Sequence, residues 1–220
     1  MTAQLLAPRE AYDLWAATYP PFAHNPLMRV EEEVVASILD RLRAVRALDV
    51  GTGSGRYVPR LRETGARMVL GVDFSAAMLA RGAGHRVCAD ACRLPVKRAT
   101  FDLVNASLMI GDVDDLDCWA HEMNRVLAPG GHLVYSDFHP SWAQHGWSRT
   151  FRAASGTLHD IPFHARTIED HLAALDRAGL DVRAIREPRF RDDEDREVKA
   201  FRRRWGNPRV VVVFHAVKAR

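Results

Sequence analysis

ALDVGTGSGRYVPRLRETG, residues 47–65, sets an apolar run against three glycines at alternate positions. Glycine has no Cβ, so a turn built of Gly51, Gly53 and Gly55 can take positive φ angles and let a ligand lie directly against peptide N–H groups. The run before it, 45–50, is short, apolar and branched, as expected of a strand buried on both faces of a parallel sheet. After it, Val58 and Leu61 share one helical face, and Gly65 supplies a stop. Strand, glycine turn and helix make a nucleotide-binding βα unit, with the ligand beyond the strand's carboxyl end.

The spacing separates two ligand classes. A dinucleotide fingerprint is G-x-G-x-x-G, and Arg56 stands where its third glycine belongs. Asp49 lies two positions before the first glycine, where a carboxylate repels a pyrophosphate and suits a cation. S-adenosylmethionine is such a ligand, with a sulfonium, an ammonium and no phosphate. A second buried strand over 67–72 ends in GVDFS, and its Asp73 sits about 20 positions past the turn, where a carboxylate can accept ribose hydroxyls. Ser75 caps a following helix. A third strand, HRVCADACRLP, leads to Asp90 and Ala91; a fourth starts at Phe101; a helix follows the acidic VDDLD; a fifth strand is HLVYSDFHP.

LDVGTGSGR, GVDFSAAML, ADACRLP, FDLVNASL and NRVLAPGGHLVYSDFHP span about half the chain and together resemble the class I S-adenosylmethionine-dependent methyltransferases, in particular the small-molecule branch with the ubiquinone and menaquinone C-methyltransferases. The resemblance implies an α/β fold: one Rossmann-like, doubly wound, seven-stranded sheet with helices on both faces, an antiparallel last strand and an N-terminal helical lid. It implies methyl transfer to oxygen, nitrogen or carbon of a small aromatic or heterocyclic acceptor, with S-adenosylhomocysteine as product. Asp49, Gly51, Thr52, Gly53 and Gly55 would hold the methionine part, Asp73 the ribose with Phe74 and Met78 beside it, and Asp90 with the Ala91 backbone the adenine. Asn105 would lie near the sulfonium. Where many relatives carry a histidine after the fourth strand, this chain reads MIGDV, which makes Asp112 a substrate-side candidate.

At 220 residues the chain fits one domain: 1–45 as lid and helix, 46–138 as cofactor core, 139–166 as a substrate-loop insertion and 167–220 as the closing helix and strands. MTAQLLAPRE has no secretory apolar core and no run of about 18 apolar residues occurs, so the expected place is the cytoplasm, without membrane contact. Cys88, Cys92 and Cys118 are not spaced as a zinc site and read as reduced thiols; no metal is implied. Net charge is +3, and Arg202, Arg203 and Arg204 beside Trp205 could form a stacking patch for RNA. However, 28 of the 31 basic residues are arginines scattered among acids such as RDDEDRE at 191–197, a solvated-face pattern that argues against nucleic acid.

Two segments outside the cofactor core are expected to hold the acceptor. In the first, Asn25 caps a helix with Pro26 in its first turn, and Val30, Val34, Ile38 and Leu42 form its apolar stripe. Before it lie Tyr12, Trp15, Tyr19, Phe22 and His24; Tyr19 is read as a cofactor contact, Tyr12 and His24 as acceptor contacts. The second, 139–164, carries Trp142, His145 and His164 as acceptor contacts and a hairpin turn at Ser155 and Gly156. His139, directly after the fifth strand, is the candidate general base. Alternatives are an RNA-modifying methyltransferase and a non-methylating enzyme or binder on the same scaffold, as monomer or homodimer; Arg56 disfavours an NAD enzyme.

Overall fold

The computed structural model describes residues 3–144, 146–191 and 196–220. The chain enters through a two-residue strand, β1 (Gln4–Leu5), and helix α1 (Pro8–Trp15), with proline at a first-turn position where no helical N–H is lost. Helix α2 (Pro26–Leu39) begins as its sequence predicts, Asn25 Oδ1 accepting from the Met28 amide at 2.9 Å. Its core face is one residue away from the expected stripe. Leu27, Glu31, Val35 and Leu39 are buried, while Val30, Val34 and Ile38 are only half-buried beside them. A glutamate in the middle of the true stripe hid it, and its burial is possible because the fold supplies it with partners.

The chain continues as β2 (Arg46–Val50), α3 (Val58–Glu63), β3 (Met68–Asp73), α4 (Ala76–Arg81), β4 (His85–Cys88) and β5 (Phe101–Ser107). After a single 3-10 turn at Ile110–Asp112 come α5 (Leu116–Val126), β6 (Leu127–Phe138), α6 (Ser141–Gln144), β7 (Arg149–Arg152) and β8 (Leu158–Ile161). The last elements are α7 (Ile168–Arg177), β9 (Leu180–Arg186), α8 (Arg196–Trp205) and β10 (Val211–Lys218). Ser75 and Asp115 cap α4 and α5, accepting from the Met78 and Cys118 amides. Arg202, Arg203 and Arg204 form the last turn of α8, where cations face the negative end of the helix.

Seven strands form one sheet in the order β4-β3-β2-β5-β6-β10-β9. The first four pairings are parallel, and β10 runs antiparallel to both β6 and β9. Side chains alternate between two cores, as a period of two requires. Leu133, Tyr135, Val212 and Phe214 pack with Trp119 and Met123 of α5 and Leu175 of α7. Leu103, Val134, Val211 and Val213 pack with Val35 and Leu39 of α2 and Leu61 of α3 on the other face. The strand order reverses about β2, with β3 on one side and β5 on the other, and a sheet of this type leaves its crevice there.

A second, three-stranded sheet, β1-β8-β7, lies outside this core. The expected hairpin is β7 and β8, with Gly156 at φ 86° in its turn. The parallel pairing of β1 with β8, Gln4 opposite His159, was not foreseen, because two residues carry no periodicity. No helix of the described residues is long and apolar enough to cross a membrane.

Candidate cofactor and acceptor site

A cavity of about 750 Å³ opens at the carboxyl ends of β2, β3 and β5. The glycine turn forms its floor. Gly51 and Gly53 have φ of 68° and 55°, which side-chain-bearing residues adopt poorly. A Cβ at Gly51 would meet Met109 Cβ at 2.7 Å, so part of the bareness serves the close approach of the chain's own Met109.

Asp49 lies under this turn, 2 % exposed. Its Oδ2 accepts from Thr52 Oγ1 at 2.6 Å and its Oδ1 from Asn105 Nδ2 at 2.8 Å. Burial pushes its carboxyl up from 3.8 to about 6, against the pull of those two donors and of the nearby Arg56 charge. Asp73 accepts from the Gly53 amide at 2.8 Å and the Ser75 amide at 2.9 Å, which holds the turn against β3; burial raises its pKa as well. Asp90 Oδ1 accepts from the Cys92 amide at 2.8 Å and shapes the turn after β4. These three carboxylates line the cavity with Gly51, Thr52 and Gly53, and with Phe74, Met78, Ala91 and Tyr19. Gly55 is not among the lining residues, and Asn105 reaches the site through Asp49.

Arg56, in the place of the third glycine, forms part of the wall. Its guanidinium donates twice to Glu31 Oε2, at 3.0 Å each, and the Tyr57 hydroxyl donates to the same oxygen at 2.7 Å. Ser136 Oγ donates to Glu31 Oε1 at 2.7 Å. Glu31 is 0 % exposed, so α2 is fastened to the turn by a buried ion pair whose carboxylate is fully partnered.

The opposite wall joins distant segments. Arg149 of β7, also buried, donates to both carboxylate oxygens of Asp112, to the Tyr12 hydroxyl at 3.3 Å and to the Pro162 carbonyl at 3.0 Å. Trp15 stacks on Phe151 with ring centroids 4.8 Å apart and meets Tyr19 edge-on at the same distance. Ser75 Oγ donates to Asp13 at 2.5 Å, and Arg81 donates to the Ala17 and Tyr19 carbonyls. Together α1 and the β7–β8 hairpin form a cap on the cavity.

Of the residues read as acceptor-side, Tyr12, His24 and Asp112 line the cavity. His24 stands edge-on to Tyr19 at 5.4 Å, its Nδ1 buried without a hydrogen-bond partner. Burial, with Arg56 nearby, holds its pKa below 6.5. Trp142 is not in the lining: it is fully buried, and its Nε1 donates to the Val210 carbonyl at 2.7 Å. An indole this apolar packs into the fold. His164 is exposed beside Asp114 at 3.0 Å, also outside the lining, and His145 lies outside the described residues. His139 does not reach the cavity. Its Nε2 faces Glu187 Oε2 at 2.9 Å and its Nδ1 faces Ser141 Oγ at 2.8 Å, so both ring nitrogens are engaged elsewhere.

Among the described residues no group of three or more histidine, cysteine or acidic side chains is arranged to hold a metal. Sequence reasoning missed Glu31, Arg56 as a wall residue, and Arg149. Glu31 carried a signal in its spacing from Leu27, Val35 and Leu39, whereas Arg149 is one of many arginines with nothing local to mark it.

A family described as "Methyltransferase domain" matches residues 48–135, the span from β2 to β6 that builds the turn and its carboxylates. Over this span the chain is similar to S-adenosylmethionine-dependent methyltransferases. It is 36% identical over 121 residues to a demethylmenaquinone methyltransferase of Streptomyces avermitilis, covering 52% of each chain. It is also 36% identical over 118 residues to a malonyl-[acyl-carrier protein] O-methyltransferase of Enterobacter lignolyticus, covering 51% of this chain and 47% of that one. The chain thus spans about half the length of the curated relatives it matches. Among solved structures, an S-adenosylmethionine-dependent methyltransferase from Mesorhizobium loti superposes with a TM-score of 0.68 at 25% identity, over 86% of this chain and 98% of that one.

Proposed function

We propose that the chain transfers a methyl group from S-adenosylmethionine to a small aromatic or heterocyclic acceptor in the cytoplasm. The observation that carries this reading is the buried Asp49 carboxylate at the head of the glycine turn, opening on a cavity whose far side is aromatic. A buried carboxylate held up near pH 6 is relieved by a neighbouring cation, and the Asp73 and Asp90 carboxylates suit the hydroxyls and amine of an adenosyl group. Ser54 Oγ, in the same wall, is buried without a partner and is free to bond a ligand there.

When bound, S-adenosylmethionine supplies a methyl carbon activated by a positive sulfur. The residues then have to orient the acceptor in line with that carbon and exclude water, an effect worth about 7–11 kcal/mol. Tyr12, Trp15, Tyr19, Phe138 and Trp147 supply flat faces for a ring. His24 takes the place that sequence reasoning gave to His139: it lines the cavity, burial holds its pKa below 6.5 against a hydrogen bond to the Phe22 backbone, and a neutral imidazole can accept a proton from a hydroxyl or ring nitrogen. The two curated relatives act on chemically different acceptors by name, so the acceptor must be found by experiment.

The test is calorimetry with S-adenosylmethionine, S-adenosylhomocysteine and NAD, followed by transfer of labelled methyl to phenols, quinols and nitrogen heterocycles. Binding of the first two, no binding of NAD and label in at least one ring acceptor are expected. Binding of NAD alone would overturn the reading.

A further inference from the structure

Cys92 and Cys118 come from separate elements, 26 positions apart, and meet at the cavity wall beside Asp90 and Ala91. Cys92 lies in the 90–93 turn after β4, and Cys118 sits in the first turn of α5. Cys118 Sγ lies 3.7 Å from the Cys92 carbonyl, and Cys92 Sγ lies 3.7 Å from the carbonyl of Asp115, the cap of α5. Burial first, and the neighbouring Cys118 thiol second, push the Cys92 thiol up to about 12. Cys118 is exposed, Cys92 half-buried. The third cysteine, Cys88, is engaged elsewhere, 3.5 Å from the Phe74 carbonyl.

We propose that Cys92 and Cys118 form a reversible disulfide that closes the adenosine end of the cavity. The inference rests on the cofactor reading above. The oxidant is a low-molecular-weight disulfide. The exposed Cys118 thiolate attacks one of its sulfurs, giving a mixed disulfide and expelling one thiol. Cys92 then gives up its proton and attacks Cys118 Sγ, forming the internal bond and expelling the second thiol. Two protein thiols are oxidised and one disulfide is reduced to two thiols. The bond draws the 90–93 turn toward α5 and carries with it the Cys92 amide that holds Asp90.

The experiment uses oxidised glutathione on the whole chain. The expected result is a mass loss of two hydrogens, a Cys92–Cys118 cross-linked peptide, and S-adenosylhomocysteine affinity at least tenfold weaker, restored by dithiothreitol. Cys88→Ser should behave as wild type, whereas Cys92→Ser and Cys118→Ser should show neither the internal bond nor a reversible loss of affinity. A glutathione adduct that persists on Cys118, a bond to Cys88, or a Cys92–Cys118 bond with unchanged affinity would each overturn the proposal. Failure of the fully reduced protein to bind S-adenosylhomocysteine would overturn the cofactor reading itself, and the mass measurement keeps the two failures apart.

Discussion

Asp49 is a charge the unliganded fold holds at its own expense. Its folded pKa, about 6, lies above the ordinary 3.8, so the fold favours the protonated form. The stability this represents is fully present below pH 3.8 and is lost as pH rises through 6, an effect of up to about 3 kcal/mol. Asp49→Asn should therefore raise the denaturation midpoint of the unliganded protein at pH 8 and lose that advantage between pH 6 and 4. The same variant should bind S-adenosylmethionine at least tenfold more weakly, and wild-type affinity should fall as pH drops below 6 and the proton competes with the cation. His24 titrates below 6.5, so its proton-accepting form is present above that range and turnover should fall as pH drops through its pKa. His24→Gln should lower turnover by about a hundredfold or more and flatten this limb, while His139→Gln should leave the limb in place. The places of Asp49 and Asp73 at the cavity are legible because a glycine turn fixes where carboxylates must stand, whereas the direction of the His139 ring is not, because adjacency to a strand end says nothing of where an imidazole points.

At the level of elements, α2 shows how a sequence can mark a helix well and still mislead about its orientation. The Asn25 cap and Pro26 fix its start, but two apolar stripes one residue apart compete, and the correct one contains Glu31. The partners that make the correct face possible come from α3's approach, Arg56 and Tyr57, and from β6, Ser136, and no local pattern announces them. Arg56→Met leaves the buried Glu31 without its cation and should destabilise the chain by about 3–5 kcal/mol in denaturant unfolding. Combining it with Glu31→Met should recover much of that loss; a double variant as unstable as the single one would show that the pair's charge is not what matters. The β7–β8 hairpin was legible from its Gly156 turn, whereas its pairing with β1 depends on a contact across the whole chain.

At the scale of the whole molecule, α1 and the β7–β8 hairpin form a cap beside the seven-stranded sheet. The cap meets the sheet domain through Arg149–Asp112, Ser75–Asp13 and Arg81, and is knit internally by the Trp15–Phe151 stack. Arg149→Met should leave the unfolding free energy of the main sheet within about 2 kcal/mol of wild type if the cap opens alone. It should also speed S-adenosylhomocysteine release about tenfold and hasten hydrogen exchange in α1; slow exchange in α1 with unchanged release would mean the cap is held by its stacked rings. The sheet order has a consequence in time. Because β10 lies between β6 and β9, β9 has no place in the sheet until residues 211–218 arrive. During synthesis the first five core strands can pair as they emerge from the ribosome, but β6 keeps a bare edge and β9 stays adrift. A nascent chain stalled before residue 211 should therefore remain open to proteases and to pairing with other chains, however complete its glycine turn already is.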